Sequence, residues 1–213
     1  MDLKVRDRTN KELSIRKKEF LRICGVLDDV GINYFLNTGI LLGAVRDNNF
    51  IKWDWDVEIS LFTNEFHSKI DFISNKLKKN GFKIIQINKK KNNLKIDFVG
   101  ACPKDATKYT IFSWNYSNYK DVYWRKGKTI PSKFLKKFSK INLFGRQFNC
   151  PYNPKAYLKF SYGNWRKPIR TSNKELYMSK NFRKESLFLI NVAEKILNKI
   201  YSLWKMTKNF FKL

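Results

Sequence analysis

Histidine and cysteine are nearly missing from this chain of 213 residues, which holds one His and three Cys. Cys24, Cys102 and Cys150 are widely spaced and form no C-x-x-C pair, so the set offers no disulfide framework. With His67 alone, a zinc site built on His and Cys is excluded too, and His67 falls in a predicted helix as a surface or cap residue. No apolar run approaches the roughly 18 residues that a membrane-spanning helix needs. The opening MDLKVRDRTNKELS lacks the apolar stretch of a secretion signal, and the expected location is the reducing cytoplasm. Internal repeats and Pro/Gly/Ser linkers are also missing, so the length supports one sizeable core with at most a small appendage. Acidic residues are scarce, 18 against 44 Lys and Arg, for a formal charge of +26. That balance calls for an anionic partner: nucleic acid, an acidic membrane surface or a phosphorylated substrate. Much of the excess is lysine in a chain also rich in Asn and Ile, and composition alone does not choose among the three. A hydrophobic content of 43% with 16% aromatics supports a packed globule.

Few as they are, the acids concentrate. The stretch Tyr34 to Leu61, YFLNTGILLGAVRDNNFIKWDWDVEISL, has the pattern strand, glycine turn, short helix, loop, strand. The second strand carries Asp54, Asp56 and Glu58 at alternate positions, which places them on one face, with Trp53, Trp55, Val57 and Ile59 on the other. Like charges so placed repel unless a cation neutralises them. Asp54 and Asp56, roughly 6.6 Å apart along a strand, can both reach one hard cation; Glu58 lies further off and shares it only if the strand bends. The alternative is an exposed acidic face on an edge strand. Just before, Thr38-Gly39 sits at a helix start, where unpaired N–H groups attract anions. Gly43 permits close approach, and Arg46 supplies a two-pronged donor for phosphate oxygens. The alternative here is a tight turn with Arg46 solvated.

These residues resemble a known family. GILLGAVRDNNFIKWDWDVEI is similar to the signature of the LicD/fukutin-type transferases, in which G-x-L-L-G-x-x-R is followed by a short loop and W-D-x-D-x-D. The resemblance implies an α/β (α+β) nucleotidyltransferase fold, a short mixed sheet with flanking helices. It implies metal binding at Asp54 and Asp56, and Gly39, Gly43 and Arg46 around nucleotide phosphates. The third acidic position is Glu58, where the family more often has Asp, so Glu58 is expected to assist at the metal rather than lead. A further acid from a neighbouring strand completes the family's metal site. Asp97, a carboxylate amid apolar neighbours in a predicted strand Leu94 to Val99, is the candidate, the alternative being an Asp97 that faces solvent.

Elsewhere the periodicity predicts a helix from Thr9 to about Val30, a second from Thr63 or Asn64 to about Asn80, and a strand over Phe82 to Ile87. Ala101 to Lys128 interleaves Tyr, Trp and Lys; aromatic packing of one sheet with lysines outside is the favoured account, base stacking the other. Pro131 to Pro168 predicts a turn, a hairpin around Gly145 and a helix from Asn153 or Pro154 to Tyr162 closed by Gly163. It also resembles the family's C-terminal signature, here Tyr162-Gly163-Asn164-Trp165. Residues 1–170 are thus expected to form the catalytic domain and 171–213 a tail. Within the tail, Arg183 to Leu213 is predicted as a basic amphipathic helix that either lies on an anionic membrane or packs against protein.

The resemblance implies that Mg²⁺ or Mn²⁺ at Asp54, Asp56 and Asp97 serves a phosphotransfer. An alcohol phosphate moves from a CDP-alcohol donor, such as CDP-choline or a CDP-pentitol, to a surface glycan or its lipid-linked precursor. Two other classes stay open: nucleotidyl transfer to a sugar, protein or nucleic acid, and non-enzymatic nucleic-acid binding driven by the charge.

Overall fold

A computed structural model describes residues 5–90, 93–100 and 107–183, together with residues 196, 199, 200 and 204. In chain order the elements are α1 (Asn10–Asp29), β1 (Tyr34–Leu36), α2 (Thr38–Asp47), β2 (Asp56–Phe62), α3 (Thr63–Lys79), β3 (Lys83–Asn88) and β4 (Lys95–Val99). There follow β5 (Lys108–Ser117), β6 (Val122–Arg125), β7 (Lys128–Pro131), β8 (Phe138–Leu143), β9 (Arg146–Pro151), α4 (Pro154–Tyr162), α5 (Lys174–Tyr177) and α6 (Lys180–Arg183). Caps set several of these limits. Thr9 and Glu12 form a reciprocal capping box at the start of α1, and Asn153 accepts from the N–H of Ala156 beside the proline that opens α4.

The main sheet runs β1-β2-β5-β4-β3; β2 and β5 are parallel and the other pairs antiparallel. β6 and β7 form a hairpin on the far end of the long strand β5. Period-2 alternation divides the sheet into two unlike faces. Val57, Ile59, Leu61, Ile96, Phe98, Tyr109 and Ile111 join the apolar stripes of α1 and α3 in one core. On the opposite face Phe35, Phe112 and Trp114 pack with residues of α2, α4 and α6 in a second. That second face turns polar toward Asp56 and Glu58, and there the site opens.

Among the described residues the helices and strands expected from the sequence are present, with one difference of consequence. The acidic strand starts at Asp56, so Asp54 precedes it in a turn closed by its N–H to the Ile51 carbonyl (3.1 Å). The buried Arg16 on α1 donates to the Asp54 carbonyl in this turn at 3.0 Å. Trp53 and Trp55 are part-exposed and line the site, Trp53 also packing against the second core. Met178 and Phe182 are buried in the second core, so the packed body runs past the boundary expected at 170. The tail helix expected from Arg183 to Leu213 lies outside the described residues, save that Ile196, Lys199, Ile200 and Trp204 are helical and exposed. Among the described residues no helix is long and apolar enough to cross a membrane.

Phe98 anchors the first core. It is fully buried, stacks on Tyr109 at 5.6 Å and meets the edge of Phe82 at 5.5 Å. Phe98→Ala is expected to cost about 3–5 kcal/mol in denaturant unfolding.

Candidate functional site

Asp54 and Asp56 lie on the wall of a pocket whose floor is the first turn of α2. Thr38 opens that helix in the left-handed region, at φ 52°, which is strained for a β-branched residue, and its hydroxyl donates to the Glu58 carboxylate at 3.1 Å. Gly39 follows. A Cβ there would stand 2.6 Å from an Asp54 carboxylate oxygen, so the missing side chain is what lets this acid rest against the helix tip. Backbone N–H groups and the positive end of the helix dipole favour negative charge at that spot.

Among the described residues neither aspartate forms an ion pair, and Asp54 accepts hydrogen bonds from the backbone N–H groups of Trp55 and Asp56. Burial pushes Asp54 up to about 6, and Arg16 offsets only part of that. Burial, then the charges of Glu58 and Asp54, push Asp56 up to about 8. Glu58 behaves oppositely. Burial raises it too, but Lys128, Arg125 and the Thr38 hydroxyl outweigh that and hold it below the ordinary carboxylate range. Arg125 approaches it at 3.9 Å and lies over the Phe112 ring, 3.4 Å from its centre.

The expected four-acid set is therefore not gathered. Among the described residues, no group of three or more His, Cys, Asp or Glu side chains is placed to hold one metal ion. Asp97 sits in β4, in register with Thr110 of β5, which is itself in register with Glu58. Two strand spacings, roughly 9–10 Å, thus separate Asp97 from Glu58. It is buried, accepts from Thr110 at 2.7 Å and pairs with Lys95, with Lys108 at 3.7 Å. Burial works against its charged form, but the hydrogen bonds of Lys95 and Thr110 hold its carboxyl below the usual range. Gly43 is not on the pocket wall; a Cβ there would strike the Asn49 carbonyl and come within 3.0 Å of the Ile51 nitrogen, so this glycine serves the loop that carries Asp54. Arg46 does reach the pocket, with its fork engaged by Asp47 at 2.8 and 2.9 Å and its face near Trp53.

Asp54 and Asp56 fit a divalent cation: two half-buried carboxylates, pushed toward their neutral form and outside any ion pair among the described residues, facing a cavity. Magnesium sites of this size use one or two carboxylates and take their remaining oxygens from water and substrate phosphates.

Several lining residues escaped sequence reasoning. Lys128 belongs to the interleaved stretch assigned to sheet packing, and Lys167, Lys174 and Tyr177 come from the segment after α4. Arg16 looked like any charged position on an amphipathic helix, yet it is buried, with its Nε on Thr107 at 3.1 Å. Only pairing through the fold distinguishes such residues. Tyr162 and Trp165 of the Y-G-x-x-W motif line the pocket as well.

Two outcomes follow. In metal-free protein the folded state keeps the protons of Asp54 and Asp56 to higher pH than the unfolded chain does, so stability falls as pH rises through about 6 to about 8. Thermal unfolding against pH checks this, and Asp56→Asn should flatten the decline and stabilise the protein at the alkaline end by at least about 1.4 kcal/mol. Gly43→Ala, which meets backbone, should cost about 1–3 kcal/mol in denaturant unfolding, whereas Gly39→Ala, which meets a side chain able to turn away, should cost less.

The sequence and the fold were compared with known proteins. Residues 31–153 match the family model described as LicD/FKTN/FKRP, nucleotidyltransferase domain. The chain is 26% identical over 155 residues to mouse (Mus musculus) ribitol 5-phosphate transferase FKRP, covering 66% of this chain and 30% of that protein. It is 26% identical over 177 residues to human (Homo sapiens) ribitol-5-phosphate transferase FKTN, covering 78% and 37%. The chain thus spans about a third of the length of these relatives. The solution structure of the antibiotic-resistance factor ANT(2'')-Ia superposes with a TM-score of 0.50 at 11% identity, covering 92% of this chain and 98% of that one, which is a likeness of fold. With more than half its length matched and the glycine-led helix tip facing the W-D-x-D aspartates, the chain belongs to the LicD/FKTN/FKRP nucleotidyltransferase-domain family.

Proposed function

We propose that this protein is a metal-dependent transferase that moves an alcohol phosphate from a CDP-activated donor to a hydroxyl of a glycan or lipid-linked glycan precursor. The observation that carries the reading is the pair of half-buried carboxylates, Asp54 and Asp56, pushed toward their neutral form in a pocket otherwise walled largely by lysines and aromatic rings. The names of the relatives, ribitol-phosphate transferases, supply the substrate class.

Asp54 and Asp56 would hold Mg²⁺ or Mn²⁺, whose chemistry at this place would be to offset the negative charge of the diphosphate and increase the electrophilicity of phosphorus. The chain's own residues do the rest. The first turn of α2 presents N–H groups to phosphate oxygens beside Gly39. Trp55, Trp165 and Tyr177 give flat apolar surface on which a base can lie and from which water is excluded. Glu58, held ionised by Thr38, Arg125 and Lys128, fixes the strained helix start and so the position of Asp54. Asp97 stands two strands away and is already paired, so it is not needed as a ligand in this arrangement.

Incubation of the protein and Mn²⁺ with CDP-ribitol, CDP-glycerol and CDP-choline, followed by chromatography of the products, tests the reading. CMP release from one donor is expected, reduced at least about 100-fold by Asp54→Asn or Asp56→Asn. Pyrophosphate release from CTP, or CMP release indifferent to both substitutions, would overturn it.

A further inference from the structure

The pocket contains a lysine ammonium that forms no ion pair and no hydrogen bond among the described residues, though it lies in the field of Glu58. The β6–β7 hairpin turns at Lys126-Gly127, with Gly127 at φ 70°, and sets Arg125 directly across from Lys128. The two cations have different surroundings. Arg125 lies over Phe112 and reaches Glu58 at 3.9 Å. Lys128 lines the pocket, yet its ammonium has no hydrogen-bond acceptor and no acid within ion-pair distance among the described residues; it lies over the ring of Phe182, 5.4 Å from the centre. Phe182 is itself fully buried, so this neighbour excludes water. Burial pushes the Lys128 ammonium down, with Glu58 opposing.

An ammonium removed from water without a partner is costly, and a fold retains one where an anion arrives to pair it. The anion cannot be Glu58 alone, because Thr38 and Arg125 already serve that carboxylate. Lys174 contributes a second positive charge at the pocket rim, strong enough in its field to act on Asp56 and Glu58. Once Asp54 and Asp56 are occupied by a divalent ion, the remaining charge on the walls is positive, and a diphosphate is the ligand that complements it.

We propose that Lys128, assisted by Lys174, binds the diphosphate of the nucleotide-activated donor, and that the β6–β7 hairpin is the element delivering this contact. The inference rests on the donor reading above and adds the phosphate-binding residue. A lysine is suited to the part, as a compact point charge with three donors that can follow phosphate oxygens as they move.

Calorimetric binding of inorganic pyrophosphate, CDP and cytidine to the full chain in Mn²⁺ tests it, with wild type, Lys128→Met, Lys128→Arg and the double variant Lys128→Met/Glu58→Gln. Wild type should bind pyrophosphate and CDP. Lys128→Met should weaken both by roughly ten- to a hundredfold, the range for hydrogen bonds to charged groups, and leave cytidine unchanged. Lys128→Arg should retain part of the affinity and keeps the test valid if the Met variant folds poorly. Equal binding by wild type and Lys128→Met would overturn the inference alone. Restoration of binding in the double variant would also overturn it, since Lys128 would then act only by neutralising Glu58. Failure of wild type to bind either pyrophosphate or CDP would overturn the donor reading and this inference together.

Discussion

Two half-buried carboxylates side by side, neither in an ion pair among the described residues, are the constraint around which this site is arranged. Taking such charges out of water is unfavourable, and the surroundings hold Asp54 and Asp56 in place without neutralising them. Arg16, the natural counter-ion, grips the backbone carbonyl of Asp54 and the Thr107 hydroxyl. Gly39 removes the one side chain that would push Asp54 from the helix tip. Thr38 accepts a strained backbone in order to hold Glu58. Local stability is thereby given up at the site, the compromise that site residues commonly show, and under the function proposed above it keeps two acids available for a metal ion.

The two faces of the sheet divide the labour. One is apolar throughout and rests on α1 and α3, which makes a rigid floor. The other changes character along its length, from the aromatic packing of Phe112 and Trp114 to the row Glu58, Thr110 and Asp97 that runs across β2, β5 and β4. Each acid in that row has its own cations: Arg125 and Lys128 around Glu58, Lys95 and Lys108 around Asp97. The net charge of +26 is thus not merely a solvated surface, since part of it is spent inside, holding acids ionised beside the pocket.

Much of this was legible in the sequence, because the signals were local. Helical spacing located α1 and α3, and Thr9, Gly31 and Gly163 marked element ends. The glycine-led helix start and the acidic alternation placed Thr38, Gly39, Asp54 and Asp56 together, as the pocket has them. What escaped depends on pairing between distant strands. Nothing beside Asp97 in the chain reveals that Thr110 and two lysines hold it away from the pair, and nothing beside Gly43 reveals that it faces a backbone turn six residues on. Lys128 could not be told from its neighbours among so many lysines until the hairpin gave it a direction. The turn that carries Asp54 is likewise held by Arg16, some forty residues earlier, a contact that no residue around Asp54 reveals.

The central claim, that Asp54 and Asp56 together hold a divalent ion at the tip of α2, is most directly tested by anomalous diffraction from crystals soaked in Mn²⁺ and CDP. The account predicts one strong peak within coordination distance of both aspartates, with the diphosphate beside it and Asp97 remote. A peak on Asp97 or Glu58 without the aspartate pair, or none in the pocket while CDP is bound, would contradict it.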